Sequence, residues 1–266
     1  MIRSIMNVKG GVGKTSTAIQ LAAGLGKARK HVLIVDADGQ GTASTLLLPD
    51  FGFDSQTPET DRTLCGLLNG KRTVNQCIWH TGLPYVDLIP CDLDLFNTIY
   101  ELQSNSVNGL PQLKLKQILR DLDYDEIIID NNPSINMMSV NSIYAADQII
   151  IPTSLDVGGL KGVQMTLKHA ASIIRELDSN ADLDYMILFT LVNHNNLEKE
   201  IAEHMKTIYM GHVYTQQIHY QAAPFRNANF NYKTVLDNRR ARVALEYRSF
   251  VNEVLGITEE NAGDQL

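Results

Sequence analysis

Six short apolar runs recur along this chain, and longer segments with helical periodicity separate them. Near-continuous apolar strands of this kind are typical of a mainly parallel β-sheet that helices cover on both faces. We therefore predict an α/β fold, in which ligands bind at the carboxyl ends of the strands. The predicted strands are 2–8, 31–35, 85–89, 126–129, 148–151 and 185–192, and the predicted helices are 15–29, 110–120, 160–177 and 197–209.

Composition narrows the class of protein. The chain has 266 residues, of which 44% are apolar and 20% charged, and these values exclude collagen-like, disordered and disulfide-scaffold proteins. No apolar run approaches the roughly 18–20 residues of a membrane span, and the first residues lack the pattern of a secretory leader. No composition break marks a linker, so we expect one domain over 1–266. The cysteines, Cys65, Cys77 and Cys91, form no paired motif and fit reduced thiols in a cytosol.

A glycine-rich loop follows the first predicted strand and opens the first helix, which is the setting of a phosphate-binding loop. Its glycines let successive backbone N–H groups converge on phosphate oxygens, and the helix N-terminus adds a positive dipole end. Lys14 would bridge the β- and γ-phosphates of a nucleotide, and the Thr15 hydroxyl would bind Mg²⁺. The ordinary motif has glycine where this chain has Val8, but a ligand-free turn would need neither two lysines nor three glycines. The predicted nucleotide-binding residues are Lys9, Gly10, Gly11, Val12, Gly13, Lys14, Thr15 and Ser16.

Together with later segments, this loop resembles the deviant Walker A motif of the ParA/MinD family of P-loop ATPases, in which a lysine precedes the two glycines. Residues 35–41 (VDADGQG) resemble the family's second motif, and residues 128–134 (IIDNNPS) resemble its Walker B motif. Residues 64–95 share its helix, strand and Pro-x-x-x-x-Leu pattern, and Leu191–His194 lie where the family carries the asparagine that reads adenine. The resemblance extends over nearly the whole chain and is closest to the small ParA/Soj-type partition ATPases.

The resemblance implies ATP and Mg²⁺ as cofactors and a role for each motif residue. Lys14 would hold the phosphates, and Lys9 would reach across a homodimer interface to the partner's ATP. Asp38 would position the attacking water, because phosphoryl transfer needs an in-line water and charge neutralisation. A strand-end aspartate is otherwise commonly a cap or turn residue, and Asn193 has the alternative reading of an ordinary loop asparagine. The implied catalytic residues are Lys9, Lys14 and Asp38, the metal-binding residues are Thr15, Asp36 and Asp130 (directly or through water), and the base contact is Asn193.

Three places depart from the family pattern. Gly39 replaces its usual proline, so we expect a more flexible loop there. Asn131 and Asn132 replace its usual Thr/Cys-Pro, in the loop that would sense the γ-phosphate. Residues 218–221 (IHYQ) stand where chromosomal members carry Ile-Pro-Arg-Asn, so the arginine that is associated with DNA binding there is missing.

Basic residues concentrate towards the C-terminus, although the whole chain carries a net charge of −7. Residues 226–248 hold six basic and two acidic residues, a local charge of +4 that leaves −11 on the remainder. Such a patch can hold a phosphate backbone without reading sequence, with strong salt dependence. The alternative is a solvated helix face, which charge runs commonly form. The candidate DNA contacts are Arg226, Lys233, Arg239, Arg240 and Arg242.

A DNA-segregation ATPase is the function that these features predict. It would be a cytoplasmic, nucleoid-associated enzyme whose ATP-driven sandwich homodimer binds DNA nonspecifically, and whose slow hydrolysis a ParB-like partner accelerates. The alternative is a nucleotide-gated scaffold that positions a conjugation, secretion or surface-organelle complex, and the unusual Asn131–Asn132 pair favours it. A MinD-like membrane regulator is disfavoured because residues 256–266 hold three acids and no base. Iron–sulfur relatives are disfavoured because the cysteines lack the required spacing.

Overall fold

The computed structural model describes residues 1–49, 51, 61–104, 110–177, 182–193 and 195–257. These residues form an eight-stranded sheet in the order β3-β4-β2-β5-β1-β6-β7-β8, in which all neighbouring strands are parallel except β3 and β4. The mainly parallel sheet confirms the predicted fold class. The strands are β1 (Ile2–Ile5), β2 (Val32–Ala37), β3 (Trp79–His80), β4 (Val86–Ile89), β5 (Glu126–Asn131), β6 (Gln148–Thr153), β7 (Tyr185–Val192) and β8 (Val213–His219).

Helices cover both faces of the sheet. One face packs against α1, α2, α10 and α11, and the opposite face packs against α3 to α9. On β5, Ile128 faces the first group of helices while Ile127 and Ile129 face the second, which explains why the strand is apolar throughout. The helices are α1 (Lys14–Lys27), α2 (Thr42–Leu47), α3 (Leu64–Leu68), α4 (Val74–Cys77), α5 (Leu95–Ser104), α6 (Lys114–Leu119), α7 (Met137–Ala145), α8 (Val157–Leu177), α9 (Asn196–Ile208), α10 (Ala222–Phe230) and α11 (Arg242–Val254), with 3₁₀ turns at Pro111–Leu113 and Val235–Asp237.

The observed strands follow the sequence prediction closely, with a few differences, whereas only α1, α6, α8 and α9 of the eleven helices among the described residues were predicted. The first predicted strand, 2–8, ends at Ile5, and the predicted strands 31–35 and 126–129 extend to Ala37 and Asn131. The edge strands β3 and β8 were not predicted. His194 and residues 258–266, which include most of the acidic tail considered above, lie outside the described residues. Within the described chain, no helix combines the length and apolar character needed to cross a bilayer.

Strand register brings the predicted site residues together at the carboxyl ends of the central strands. Asp36 on β2 lies opposite Asp130 on β5, and Asp130 in turn lies opposite Ile5, the last residue of β1. Because β1 leads directly into the glycine-rich loop, both carboxylates lie beside that loop. The carboxyl ends of the strands are where parallel α/β sheets bind their ligands.

Candidate functional site

The loop between β1 and α1 has the backbone that its glycines predict. Gly11 and Gly13 have φ values of +71° and +81°, in the left-handed region that side-chain-bearing residues rarely adopt. A Cβ atom on Gly10, Gly11 or Gly13 would meet no atom within 4 Å, so the space around these residues is open. No side chain of the described structure caps the N-terminus of α1, so its first backbone N–H groups remain for an anion.

Lys14 is the first residue of α1, and only 7% of its surface is exposed. Its Nζ donates a hydrogen bond to the backbone carbonyl of Lys9 at 3.2 Å. Burial lowers the pKa of Lys14, and the charges of Asp130 and Asp38 oppose that shift. The ammonium group therefore lies in the field of both carboxylates, beside the open loop, where it can neutralise a phosphate.

The end of β5 holds the unsatisfied polar atoms of the core. Within the described residues, the buried side-chain nitrogen and oxygen atoms without a hydrogen-bond partner are Oδ1 and Oδ2 of Asp130 and Oδ1 of Asn131. Buried polar atoms are normally paired, so orphaned ones of this kind indicate a site for a ligand or ion. Burial raises the pKa of Asp130 well above its usual range and the charge of Asp36 adds to the shift, while the nearby Thr15 hydroxyl and the charge of Lys14 oppose it without cancelling it. A divalent cation would satisfy this carboxylate, so the residues present fit Mg²⁺.

Asp36 is also fully buried, but its carboxylate is hydrogen-bonded. Oδ2 accepts from the backbone N–H and the hydroxyl of Ser44, at 2.9 and 2.7 Å, and Oδ1 accepts from the N–H of Asp38 at 3.2 Å. Burial nevertheless raises the pKa of Asp36 to about 6. These bonds tie Asp36 to the first turn of α2, and contact with Mg²⁺ would use its remaining lone pairs or a bridging water.

Asp38 begins the loop between β2 and α2 and is half-buried. Its Oδ1 accepts a hydrogen bond from the backbone N–H of Gln40 at 3.0 Å. Its backbone carbonyl accepts from the N–H of Gly41 at 2.9 Å. A Cβ atom on Gly39 would lie 3.0 Å from Cε2 of Phe96 on α5. Gly39 therefore makes room for an aromatic ring, at a position where the family's usual proline would be crowded.

Asn131 is not in a loop, so the sequence prediction was wrong on this point. It is the last residue of β5, and its side chain is buried. Its Nδ2 donates to Oγ of Ser4 at 3.0 Å and to the carbonyl oxygens of Ile5 at 3.1 Å and Ile129 at 3.2 Å. Asn131 therefore joins β5 to β1 behind the glycine-rich loop, while Asn132, also buried, follows the strand.

Lys9 is bound within its own chain. Its Nζ donates to Oγ of Ser154 at 2.8 Å and to the two carboxylate oxygens of Asp156 at 2.7 and 2.8 Å. Burial raises the pKa of Asp156, but the bonds from Lys9, the Gly159 N–H and the Ser154 hydroxyl outweigh burial and lower that pKa to about 2. The sequence analysis missed Asp156, and its local signal is a carboxylate directly before α8.

Asn193 follows β7 and is exposed. Its backbone N–H donates to Oε2 of Glu198 at 2.6 Å, and its Nδ2 donates to the carbonyl of Leu191 at 3.1 Å and to Oε1 of Glu198 at 3.3 Å. The hydroxyl of Thr190 donates to the carbonyl of Val12 at 2.8 Å, which joins β7 to the glycine-rich loop. Asn193 therefore lies three residues beyond a direct contact with that loop. The sequence analysis missed Glu198.

Three of the predicted DNA contacts line an open groove of about 610 Å³ between α10, the Val235–Asp237 turn and the segment before α11. These residues, Lys233, Arg239 and Arg240, are exposed, as is Arg226 on α10. Among the described residues, Lys233, Arg239 and Arg240 form no ion pair. Their charges are therefore available to an anionic partner.

Arg242, the fifth candidate, is engaged in the protein itself. Its Nε donates to Oε1 of the buried Glu246 at 2.7 Å, and its guanidinium group lies against the ring of His219. His219 Nδ1 also lies 2.7 Å from Glu246 Oε1. Arg242 thus holds the end of β8 against α11, and although its side chain is exposed, its charge is paired with Glu246, unlike those of the groove cations.

Comparison with known proteins agrees with this geometry. Residues 1–185 match the family described as AAA domain (AAA_31). The chromosome partitioning protein ParA of Caulobacter vibrioides is 27% identical over 256 residues, which cover 96% of this chain and 93% of that protein. The sporulation initiation inhibitor protein Soj of Bacillus subtilis is 28% identical over 255 residues, which cover 95% of this chain and 97% of Soj. Among solved structures, an ATP complex of McdA from Cyanothece has the same fold, with a TM-score of 0.81 at 22% identity over 97% of each chain.

The family match includes the glycine-rich loop, both strand-end aspartates and every strand up to β6. The two relatives align with this chain along nearly its full length. On these matches, the chain belongs to the ParA/MinD family of P-loop ATPases.

Proposed function

We propose that this chain is an ATP-hydrolysing DNA-partition protein, with one domain over 1–266, that acts in the cytoplasm on the nucleoid. The observation that carries the proposal is the fully buried carboxylate of Asp130, which accepts no hydrogen bond from the described residues and lies near Lys14 and the open loop. In an ATP·Mg²⁺ complex, the metal ion would neutralise the Asp130 carboxylate and the phosphates would neutralise the Lys14 ammonium group. The names of the two relatives, one for chromosome partitioning and one for sporulation control, support the partition role.

In this proposal the backbone of residues 10–16 and the ammonium group of Lys14 hold the triphosphate. Bound Mg²⁺ would neutralise charge on the β- and γ-phosphates. The Thr15 hydroxyl would hold it together with Asp36 and Asp130, directly or through water. Asp38 would orient the attacking water through Oδ2, which has no hydrogen-bond partner among the described residues, while Gln40 fixes Oδ1.

Dimerisation would require Lys9 to exchange partners. In the structure its ammonium group is held by Asp156 and Ser154 of its own chain. To reach the ATP of a second subunit, Lys9 must leave these oxygens for phosphate oxygens. The exchange replaces one charge-assisted contact with another, so ATP can drive it without leaving the half-buried ammonium group of Lys9 unpaired.

DNA binding would use the exposed cations of the groove. The groove adjoins α1, the helix that begins at the phosphate loop, because Gln20 Oε1 accepts from the N–H of Val235 at 3.1 Å. Lys27, near the end of α1, forms an ion pair with Asp237 of the groove at 2.9 Å. A movement of α1 on ATP binding would therefore reach the groove directly.

The proposal is tested with the Asp38→Ala variant, which should bind ATP without hydrolysing it. We expect this variant to bind random-sequence duplex DNA with ATP·Mg²⁺ and not with ADP, and to lose affinity steeply as salt rises. Arg239→Glu should weaken the binding. Arg120→Glu, the same change at an exposed arginine after α6, should leave it intact.

The opposite outcomes are equally informative. Absent or nucleotide-independent DNA binding would contradict the partition role and favour the nucleotide-gated scaffold. Stimulation of hydrolysis by a ParB-like adaptor is measured separately, as phosphate release by the wild-type protein with DNA and the adaptor present. Lys14→Ala, which removes the phosphate-binding ammonium group, should abolish both nucleotide binding and phosphate release.

A further inference from the structure

We propose that Glu198 is a positioning residue that makes the base site selective for adenine, because it fixes the side-chain amide of Asn193 in one orientation. The inference rests on the proposed function and on the role that the family resemblance implies for Asn193, the contact to the base. It concerns nucleotide choice, which neither the phosphate loop nor the two aspartates determine, since these contact only phosphate and metal.

An asparagine side chain presents a donor on one side and an acceptor on the other, and its neighbours decide which is which. The two neighbours of Nδ2 are the Leu191 carbonyl at 3.1 Å and Oε1 of Glu198 at 3.3 Å. Both are acceptors, so the atom that faces them must be the amide nitrogen. Among the described residues Oδ1 of Asn193 has no hydrogen-bond partner, and it is left to face a ligand.

Glu198 is itself well anchored for this task. It lies in the first turn of α9, where its backbone N–H donates to Oδ1 of Asn195 at 2.8 Å. Its Oε2 accepts from the backbone N–H of Asn193 at 2.6 Å, while Oε1 receives the side-chain amide. One carboxylate therefore holds both the main chain and the side chain of Asn193.

The backbone before Asn193 is held in an unfavourable conformation that serves the same contact. Leu191 has a φ of +57°, and the pairing of β7 with β8 shifts register between Phe189 and Val192. Left-handed backbone at a residue with a branched side chain persists where its surroundings fix it, and it is frequent at ligand sites. Here it accompanies the Leu191 carbonyl that accepts from Nδ2 of Asn193.

The chemistry of the purine 6-position then gives selectivity. Adenine carries an amino group there, which donates to Oδ1 of Asn193. Guanine and hypoxanthine carry a carbonyl oxygen there. It would face Oδ1 of Asn193, and two acceptors without a hydrogen atom to share repel each other. In a Glu198→Gln variant an amide nitrogen can take the place of Oε1 and repel Nδ2 of Asn193, so only the Leu191 carbonyl still favours the observed orientation. The Asn193 amide then turns over more often and presents its nitrogen to the base.

The test compares ATP with inosine triphosphate, which differs at the 6-position without the 2-amino group of guanine. Equilibrium dissociation constants are measured for the wild type, Glu198→Gln and Asn193→Ala. The matched control is Glu200→Gln, which removes the same charge from an exposed carboxylate on α9. We expect Glu198→Gln to reduce the preference for ATP by about 5- to 10-fold, since one hydrogen bond changes sign, and Glu200→Gln to leave it unchanged.

Two results would overturn the inference, and they differ in meaning. If Asn193→Ala reduces the preference for ATP but Glu198→Gln does not, Asn193 contacts the base without help from Glu198. If Asn193→Ala leaves both the ATP affinity and the preference unchanged, the proposed base contact fails as well, while the phosphate site stays testable through Lys14→Ala. Melting temperatures of all variants show whether any loss of binding reflects unfolding.

Discussion

Replacing Asp130 by asparagine should make the nucleotide-free protein more stable. The Asp130 carboxylate is fully buried, neither oxygen has a partner among the described residues, and burial raises its pKa despite the opposing charge of Lys14. Because its pKa is raised in the folded protein, keeping this carboxyl ionised at neutral pH costs the fold on the order of a few kcal/mol, a cost that asparagine does not carry. In a chain of this size each kcal/mol raises the melting temperature by about 2–4 °C, so differential scanning calorimetry resolves the effect.

The same substitution should remove the stabilisation that ATP·Mg²⁺ provides. At a ligand concentration about 100-fold above Kd, that stabilisation is worth about 2.7 kcal/mol in the wild type. The order of melting temperatures should therefore reverse between the nucleotide-free and ATP·Mg²⁺ samples. Asp87→Asn is the control, because the Asp87 carboxylate accepts from the Tyr124 hydroxyl at 2.7 Å and its loss should lower both melting temperatures.

The reasoning is refuted if nucleotide-free Asp130→Asn melts at or below the wild-type temperature. That result would mean that the attraction between Asp130 and Lys14 outweighs the cost of burying the carboxylate. The candidate site would then be electrostatically satisfied without a metal ion, and the main physical argument for Mg²⁺ would be lost.

Substitutions of Asp36, Asp156 and Gly39 test three other features of the site. Burial raises the pKa of Asp36 from 3.8 to about 6, so the stability of Asp36→Asn relative to wild type should rise by about 2.4 kcal/mol between pH 4 and pH 7, measured by urea denaturation. Asp156→Asn should release Lys9 and lower the protein concentration needed for ATP-dependent dimerisation, measured by light scattering at neutral pH, where the Asp156 carboxylate of the wild type, with a pKa of about 2, is ionised and holds Lys9. Gly39→Pro should cost about 1 kcal/mol because of Phe96, and the cost should shrink in a Phe96→Ala background, as a double-mutant cycle would show.

Much of the fold could be predicted because its signals are local. The apolar runs of the central strands are continuous, since both faces are buried, and β7 was predicted with its observed bounds. The edge strands carry weaker signals. β8 includes Thr215, Gln216 and Gln217 and is only partly buried, and β3 has two residues, Trp79 and His80, that pair with β4 in the antiparallel sense. A two-residue strand forms only because β4 lies beside it, and the local sequence of β3 does not indicate that pairing.

The candidate site divides in the same way. The glycine-rich loop and the strand-end aspartates follow from neighbouring residues, but their partners do not. Asp156 is separated from Lys9 by 147 positions, so no spacing rule connects them. Glu198 has a local signal, the Asn195-x-x-Glu198 spacing of a helix cap, yet its carboxylate reaches back to Asn193 instead.

The distribution of satisfied charges indicates which ligand group the site is prepared for. Both lysines already have oxygen partners: Lys14 has the Lys9 carbonyl, and Lys9 has Asp156. The phosphates must compete with those partners, so part of their attraction is cancelled. The Asp130 oxygens have no hydrogen-bond partner among the described residues, and the charge of Lys14 does not bring the pKa of this carboxyl back to its usual range, so most of its attraction for a cation remains. The metal ion should therefore account for a larger share of the binding free energy than the lysine contacts do, and ATP without Mg²⁺ should bind weakly even though the phosphate loop is intact.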